Sequence, residues 1–467
     1  MTRNVLILGA GITGLSAGWK LLTASRDYTV TYIERDSVPG GLAKSIAWNG
    51  FTLDLGPHRF HTEIPEIRDF IQQFCESRMI RVRRSSRMYL NGRYISYPIQ
   101  PLQTLRCLGF SRSLHFIGSA LGTLWGQKAG AAESYEEYVC RYYGKTLYQA
   151  IFQPFAEKVW GLPPAQISAE TARVRLRGEN IWRTLLDSLL TREETYVAEF
   201  LYPPGGIGEI ARQFAQEISG HGGVFLFDHT VRRIAIEQGQ VRGIVAETPQ
   251  GIQEIPCDLL LSTIPLPQLI ANLSPPPPTE ILESAAGLHF RALALLYLLF
   301  PAHYEIEDTW LYYPEKHVPF SRIYVPGNFA ASPAKTTRTC LCAEYTCEVG
   351  DETWLASPET LARRCEATLL ESGLIREPAV DSLVAHIPDG YPVYRVGYEK
   401  TLRQALDRLR SLKNCITAGR QGLFRHNNID QALQMGLLAA DSIQTRVGDF
   451  NRWYDEVSRF NDYRIVD

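Results

Sequence analysis

The chain opens on a short apolar run at 5–8, with no alternation, the pattern of a strand buried on both faces. Gly9-Ala10-Gly11-Ile12-Thr13-Gly14 follows, and Leu15, Ala17, Gly18, Leu21 and Leu22 then recur at helical spacing. A β-branched and aromatic stretch at 29–33, closed by Glu34, completes a predicted strand–helix–strand unit. Residues 60–200 read mostly helical, with turns at Pro98, Pro101 and Pro163-Pro164. From Gly223 the period shortens, and strands are predicted at 224–227, 232–237, 241–248 and 258–264, with turns at Gly239 and Pro249-Gln250-Gly251. The prolines at 275–278 mark a crossing between domains. Beyond them, 290–350 reads as strand-rich around an apolar run at 292–300, and 357–372 as helical. A strand at 414–418 precedes a long helix from about Asp430 to Val447.

Strands suited to one buried parallel layer thus recur at the start, in the middle and near the end. This predicts a doubly wound domain interrupted twice by a second one. The first domain is expected at 1–60, 205–272 and 396–467. The second is expected at 61–204, mostly helical, and 273–395, strand-rich.

Composition narrows the classes. With 467 residues, 45% hydrophobic and 21% charged, the chain has ample material for a core and does not read as disordered. Lys plus Arg is 48 against 50 Asp plus Glu, with no basic run, so nucleic acid is not an expected partner. No apolar run approaches the roughly 20 residues of a membrane span, and residues 1–4 lead straight into the first strand; a cytoplasmic protein is expected. The 114–125 stretch is read as a substrate-domain helix rather than a lipid contact. Nine scattered cysteines without a C-x-x-C pair predict buried thiols and no metal site.

The glycine turn carries the first chemistry. Gly9 makes the tight turn, Gly11 lets backbone approach a pyrophosphate, and Gly14 lets helix and strand pack closely. The helix start offers free N–H groups to the phosphates. Glu34 is placed to accept from ribose hydroxyls and would repel a 2′-phosphate, which predicts a dinucleotide other than NADP.

A second glycine pair, Gly40-Gly41, followed by Leu42-Ala43-Lys44-Ser45, resembles the extended FAD pattern of the amine oxidase, protoporphyrinogen oxidase and phytoene desaturase superfamily. That resemblance implies FAD as cofactor, with Ile12, Thr13, Arg35, Leu42 and Ala43 at its site beside the glycines and Glu34. Gly56-Pro57-His58-Arg59-Phe60-His61-Thr62 resembles the G-P-H-x-F-H-T loop of the UDP-galactopyranose mutases, which implies that Gly56, Pro57 and His58 lie against the flavin. The stretch 151–161 is similar to that family's K-x-W-G segment through Lys158, Trp160 and Gly161, but holds Phe155 and no tyrosine. Tyr202-Pro203-Pro204-Gly205-Gly206 resembles the protoporphyrinogen oxidase-like branch, and the meander after it would bring Val231 to the adenine.

Near the end, Gly419-Arg420, Asn428, Ile429 and Asp430 resemble the superfamily's C-terminal FAD motif. Asn428 is a candidate N-cap, and the helix start with Arg420 would stabilise the charge that gathers on a reduced flavin. The resemblance implies an α/β fold: a Rossmann-like FAD-binding domain, a doubly wound parallel sheet plus a β-meander, interrupted by a mixed α+β substrate domain. It implies an FAD-dependent oxidoreductase of the protoporphyrinogen oxidase/amine oxidase type, with a mutase-like enzyme working on reduced FAD as the alternative. The expected partner is a small molecule, with a nucleotide-sugar as one candidate. Trp160, Arg175, Arg177, Arg291, Tyr391 and Tyr394 are its candidate contacts; His58 and Arg420 are the candidate catalytic, flavin-tuning residues. No acid–base residue follows from spacing, and metal binding by His58 and His61 lacks a partner set.

Overall fold

Arg3–Leu8 is the middle strand of a five-stranded parallel sheet, and Val5, Leu6, Ile7 and Leu8 are fully buried. The strand order is Cys415–Thr417, Leu259–Ser262, Arg3–Leu8, Tyr28–Ile33, Val224–Leu226. In this computed structural model, residues 2–75, 79–97, 132–176, 199–329, 337–445 and 450–465 are described. The 114–125 stretch, the turns at Pro98 and Pro101, and Arg177 lie outside them.

The helix Ile12–Ala24 packs between Gly208–Gly220 and the C-terminal Ile429–Thr445. Its approach to the last helix is backbone-close: a Cβ at Gly436 would stand 2.2 Å from the Thr13 carbonyl oxygen. The Thr13 hydroxyl donates to the Ala432 carbonyl at 3.0 Å and that of Ser16 to Leu433 at 3.2 Å. The chain's two ends are thereby fastened into one unit, which fixes where both glycine-bearing turns sit.

The meander differs from its prediction. Its strands are Thr230–Glu237, Gln240–Thr248 and Gly251–Pro256, with Leu273–Ser274 added in parallel at the edge. Gly251–Pro256 was expected to be turn at its start and unassigned thereafter. It faces solvent almost throughout, Ile252 being 68% exposed, so it lacks the alternation of a half-buried strand. The prolines at 275–278 separate that edge strand from the helix Thr279–Ala286.

The third sheet has seven strands, in the order Asp381–Pro392, Phe290–Phe300, Thr339–Cys347, Arg322–Tyr324, Trp310–Tyr312, Ser86–Leu90, Arg93–Ser96. Every residue of Phe290–Phe300 is buried, as its unbroken apolar run requires. Among the described residues of 60–200, helices occur at Pro65–Phe74, Tyr135–Tyr143 and Gln153–Trp160, while Ile80–Arg83, Ser86–Leu90, Arg93–Ser96 and Glu199–Tyr202 are strands that the mostly helical reading did not single out. Ile80–Arg83 pairs with Glu199–Tyr202, and Ser86–Leu90 with Trp310–Tyr312, so much of their pairing lies far away in sequence.

Candidate functional site

Two cavities meet where the glycine turn, the 54–62 loop and the last helix converge. The first, about 360 Å³, runs over the C-terminal edge of the parallel sheet. The second, about 260 Å³, lies between that edge and the seven-stranded sheet. Leu55, His58, Arg420, Asn428 and Ile429 face both and form the shared wall.

In the first cavity, Gly9, at φ +95°, makes the turn; a Cβ there would stand 2.5 Å from Thr263 Oγ1. Gly11 has extended backbone, φ −76° and ψ 173°, that any residue adopts, and a Cβ on it would meet nothing within 4 Å. Its missing side chain opens onto the cavity. Gly14 does not line the cavity: its Cβ would stand 2.3 Å from the Gly9 carbonyl oxygen, so it is a packing glycine. The second glycine pair rests on the first. The Gly40 N–H donates to the Ala10 carbonyl at 2.8 Å, and a Cβ at Gly41 would approach the Gly11 Cα to 3.2 Å. Ile12, Thr13, Arg35, Leu42, Ala43, Val231 and Gly419 line the same space.

Glu34 is buried at the cavity's end. Its Oε2 accepts the Ala10 N–H at 2.7 Å and its Oε1 the Asp36 N–H at 3.0 Å, so it also ties down the glycine turn. Burial pushes its pKa up, and those two N–H groups pull it back. At the opposite end, Asn428 begins the helix Ile429–Thr445. Its N–H donates to Gln431 Oε1 at 2.9 Å and its carbonyl accepts from Ala432, half of a capping box. Arg420 is held by carbonyl oxygens, those of Asn427 and, at 3.4 Å, Gly390, and so keeps its net charge at the shared wall. Asp430 lines neither cavity. It is buried behind the loop, bonded to the Thr62 side chain, and burial raises its carboxyl to about 6.

The loop bearing His58 is clamped from both sides. The Asp54 carboxylate accepts from Ser45 Oγ, from the Tyr202 hydroxyl at 2.6 Å and from the Ile207 N–H at 3.1 Å. Its carbonyl accepts the hydroxyls of Tyr297 and Tyr324, which come from the seven-stranded sheet. Gly56 and Pro57 then face the second cavity and His58 both. Burial, then the charges of Arg420 and Arg322, lower His58 to about 4. The unfolded imidazole takes its proton near 6.5, so this contribution to stability is whole above that pH and is lost as pH falls towards 4. His58→Gln is expected to flatten that acid loss by about 1–3 kcal/mol, read as melting temperature against pH. An unchanged slope would assign the loss to other groups.

In the second cavity, the Arg175 guanidinium lies 4.8 Å from the Trp160 ring centre, and Tyr391 meets Trp160 edge-on at 6.1 Å. Two candidate contacts fall elsewhere. Arg291 lies outside this cavity, in an ion pair with Glu348, whereas Leu293 on the same strand lines the cavity. Tyr394 is fully buried behind the wall, where its hydroxyl accepts the His426 N–H at 2.7 Å. Sequence reasoning missed Arg59, Arg322, Glu344 and His426, all of which line the cavity. Arg322 pairs with Glu344 at 2.6 Å across adjacent strands. His426 stacks edge-on against Trp160 at 5.3 Å, and burial keeps it neutral. Its place two turns beyond Gly419-Arg420 was the only local hint.

The first cavity fits a dinucleotide. An open glycine and a helix start would hold its pyrophosphate, a buried carboxylate at one end would accept from a ribose, and a second helix start with a fixed arginine would favour negative charge on its ring. Fold and site together define a flavoprotein. The model of the family "Flavin containing amine oxidoreductase" matches residues 12–443; the chain belongs to that family, and its cofactor is FAD. It is 28% identical over 171 residues to a probable UDP-galactopyranose mutase of Klebsiella pneumoniae, covering 36% of this chain and 43% of that one. It is 26% identical over 175 residues to protoporphyrinogen oxidase 2 of Arabidopsis thaliana, covering 36% and 34%. The chain thus spans less than half the length of these two relatives. The crystal structure of reduced UDP-galactopyranose mutase superposes with a TM-score of 0.83 at 21% identity, over 99% of this chain and 98% of that one, which shows a shared fold. Among the described residues no helix is long and apolar enough to cross a membrane.

Proposed function

We propose that the chain is a flavoenzyme of the mutase-like type, acting on a nucleotide-sugar held in the second cavity by its diphosphate. One observation carries this reading. Among the described residues, four arginines, Arg59, Arg175, Arg322 and Arg420, line that cavity, and the one carboxylate, Glu344, is engaged by Arg322. Such a site attracts an anion and repels the ammonium of an amine substrate. Arg175 and Arg322, from opposite walls, are the diphosphate contacts, and Trp160, Phe152 and Phe155 offer rings to a base or sugar.

Bound FAD would supply either a hydride acceptor or, when reduced, a nucleophile for sugar chemistry. The chain's own residues act around it. Arg420 and the helix start at Asn428 favour negative charge at the shared wall, and neutral His58 adds none of its own.

The oxidoreductase reading keeps one support: a wall of Met88, Ile151, Val159, Leu176 and Leu293, suited to an anionic substrate with an apolar body. The test is the flavin state. The holoenzyme, reduced with dithionite, is expected to interconvert UDP-galactopyranose and its furanose form with no net consumption of reductant. Turnover only with dioxygen or an electron acceptor, giving an oxidised product, would replace the mutase reading with the oxidase one. The free thiols of the described cysteines support a reducing compartment, the cytoplasm, as the place of work.

A further inference from the structure

We propose that the substrate carries a second anionic group, a carboxylate, recognised by Arg84 and Arg59 around the indole of Trp310. Its description as part of a nucleotide-sugar rests on the reading above; the anion subsite itself does not.

The Arg84 guanidinium lies 5.2 Å from the Trp310 ring centre and 5.7 Å from that of Tyr97. Its Nε, Nη1 and Nη2 are all buried, and no acceptor among the described residues reaches any of them. The Trp310 Nε1 beside it is buried and without an acceptor as well. Arg59, which lines the second cavity together with Tyr97, lies over the same indole at 5.6 Å.

Three other buried or half-buried arginines here have carboxylate partners. Arg87 grips both oxygens of Asp308, Arg322 holds Glu344, and Arg291 holds Glu348. Asp308, two residues before Trp310, is thus already engaged and cannot serve Arg84. Buried donors are almost always satisfied. A guanidinium fixed between two aromatic rings with all three nitrogens unpaired is a fork prepared for a planar anion, and a carboxylate matches it in charge and shape. A merely structural stacking role would require the charge but no ligand.

The test compares sugars that differ only in a carboxylate. The holoenzyme is titrated with UDP-galacturonate against UDP-galactose, and with free galacturonate against galactose, following the flavin absorbance. The acid of each pair is expected to bind on the order of tenfold tighter, and Arg84→Gln to abolish the preference with FAD content intact. If Arg84→Gln fails to hold FAD, Arg84→Lys replaces it, keeping the charge without the fork and losing part of the preference. Equal affinities within both pairs in the wild type, or a preference that survives both Arg84→Gln and Arg59→Gln, would overturn the subsite. Preference for free galacturonate with no binding of UDP or either UDP-sugar would sustain the subsite and overturn the nucleotide-sugar reading.

Discussion

Gly11→Val is expected to give a folded protein that purifies without its yellow colour, whereas Gly14→Val should lose a large part of its stability and soluble yield. The two glycines are three residues apart in one motif, yet the structure gives them opposite roles. At Gly11 the backbone is ordinary and a Cβ meets nothing within 4 Å, so the folded chain tolerates valine and only the bound dinucleotide does not. At Gly14 the Cβ would stand 2.3 Å from the Gly9 carbonyl oxygen and 3.2 Å from the Ile7 side chain. Neither a strand nor the turn above it can yield that much. Ordinary overpacking costs about 1–3 kcal/mol and sometimes more, and a clash with backbone belongs at the upper end, against a total stability of roughly 5–15 kcal/mol. Flavin absorbance, thermal unfolding and soluble yield separate the two outcomes. A yellow, fully loaded Gly11→Val protein would show that the phosphates do not pass over this turn.

Arg322→Met is expected to weaken UDP binding by on the order of 10–100-fold and to destabilise the fold by about 3–5 kcal/mol. The two effects have different origins and can be pulled apart. The stability loss comes from leaving Glu344, 4% exposed, without its partner at 2.6 Å. The affinity loss comes from removing a charge that faces the cavity. Arg322→Met with Glu344→Gln should therefore recover most of the stability and none of the affinity. Calorimetric titration with UDP and thermal unfolding of the three proteins measure both. If the double variant binds UDP as the wild type does, Arg322 serves the sheet and not the ligand.

The cofactor half of the site was largely legible in the sequence because its constraints are local. A glycine that must turn, a helix that must start, and an acidic residue at the end of the next strand each leave a mark within a few residues; Gly9, Gly11, Glu34, Asn428 and Arg420 all reach the first cavity or its end. The substrate half was not. Arg291 and Arg322 are both arginines at the start of apolar strands, and the sequence singled out only the one that lies outside the cavity. Glu348 engages Arg291, while cross-strand pairing with Glu344 holds Arg322 at the cavity.

By itself the sequence determined the buried central strand, the two glycine turns, the capped last helix and the α/β fold built on them, since burial pattern and turn chemistry act over short stretches. Tertiary structure alone decided that Gly436 serves packing, that Asp54 anchors the His58 loop from both sides, and that Arg59, Arg322 and His426 share a cavity with Trp160. Those outcomes depend on which strands and helices become neighbours. Side chains separated by hundreds of residues acquire a common environment only when the register of distant strands is fixed.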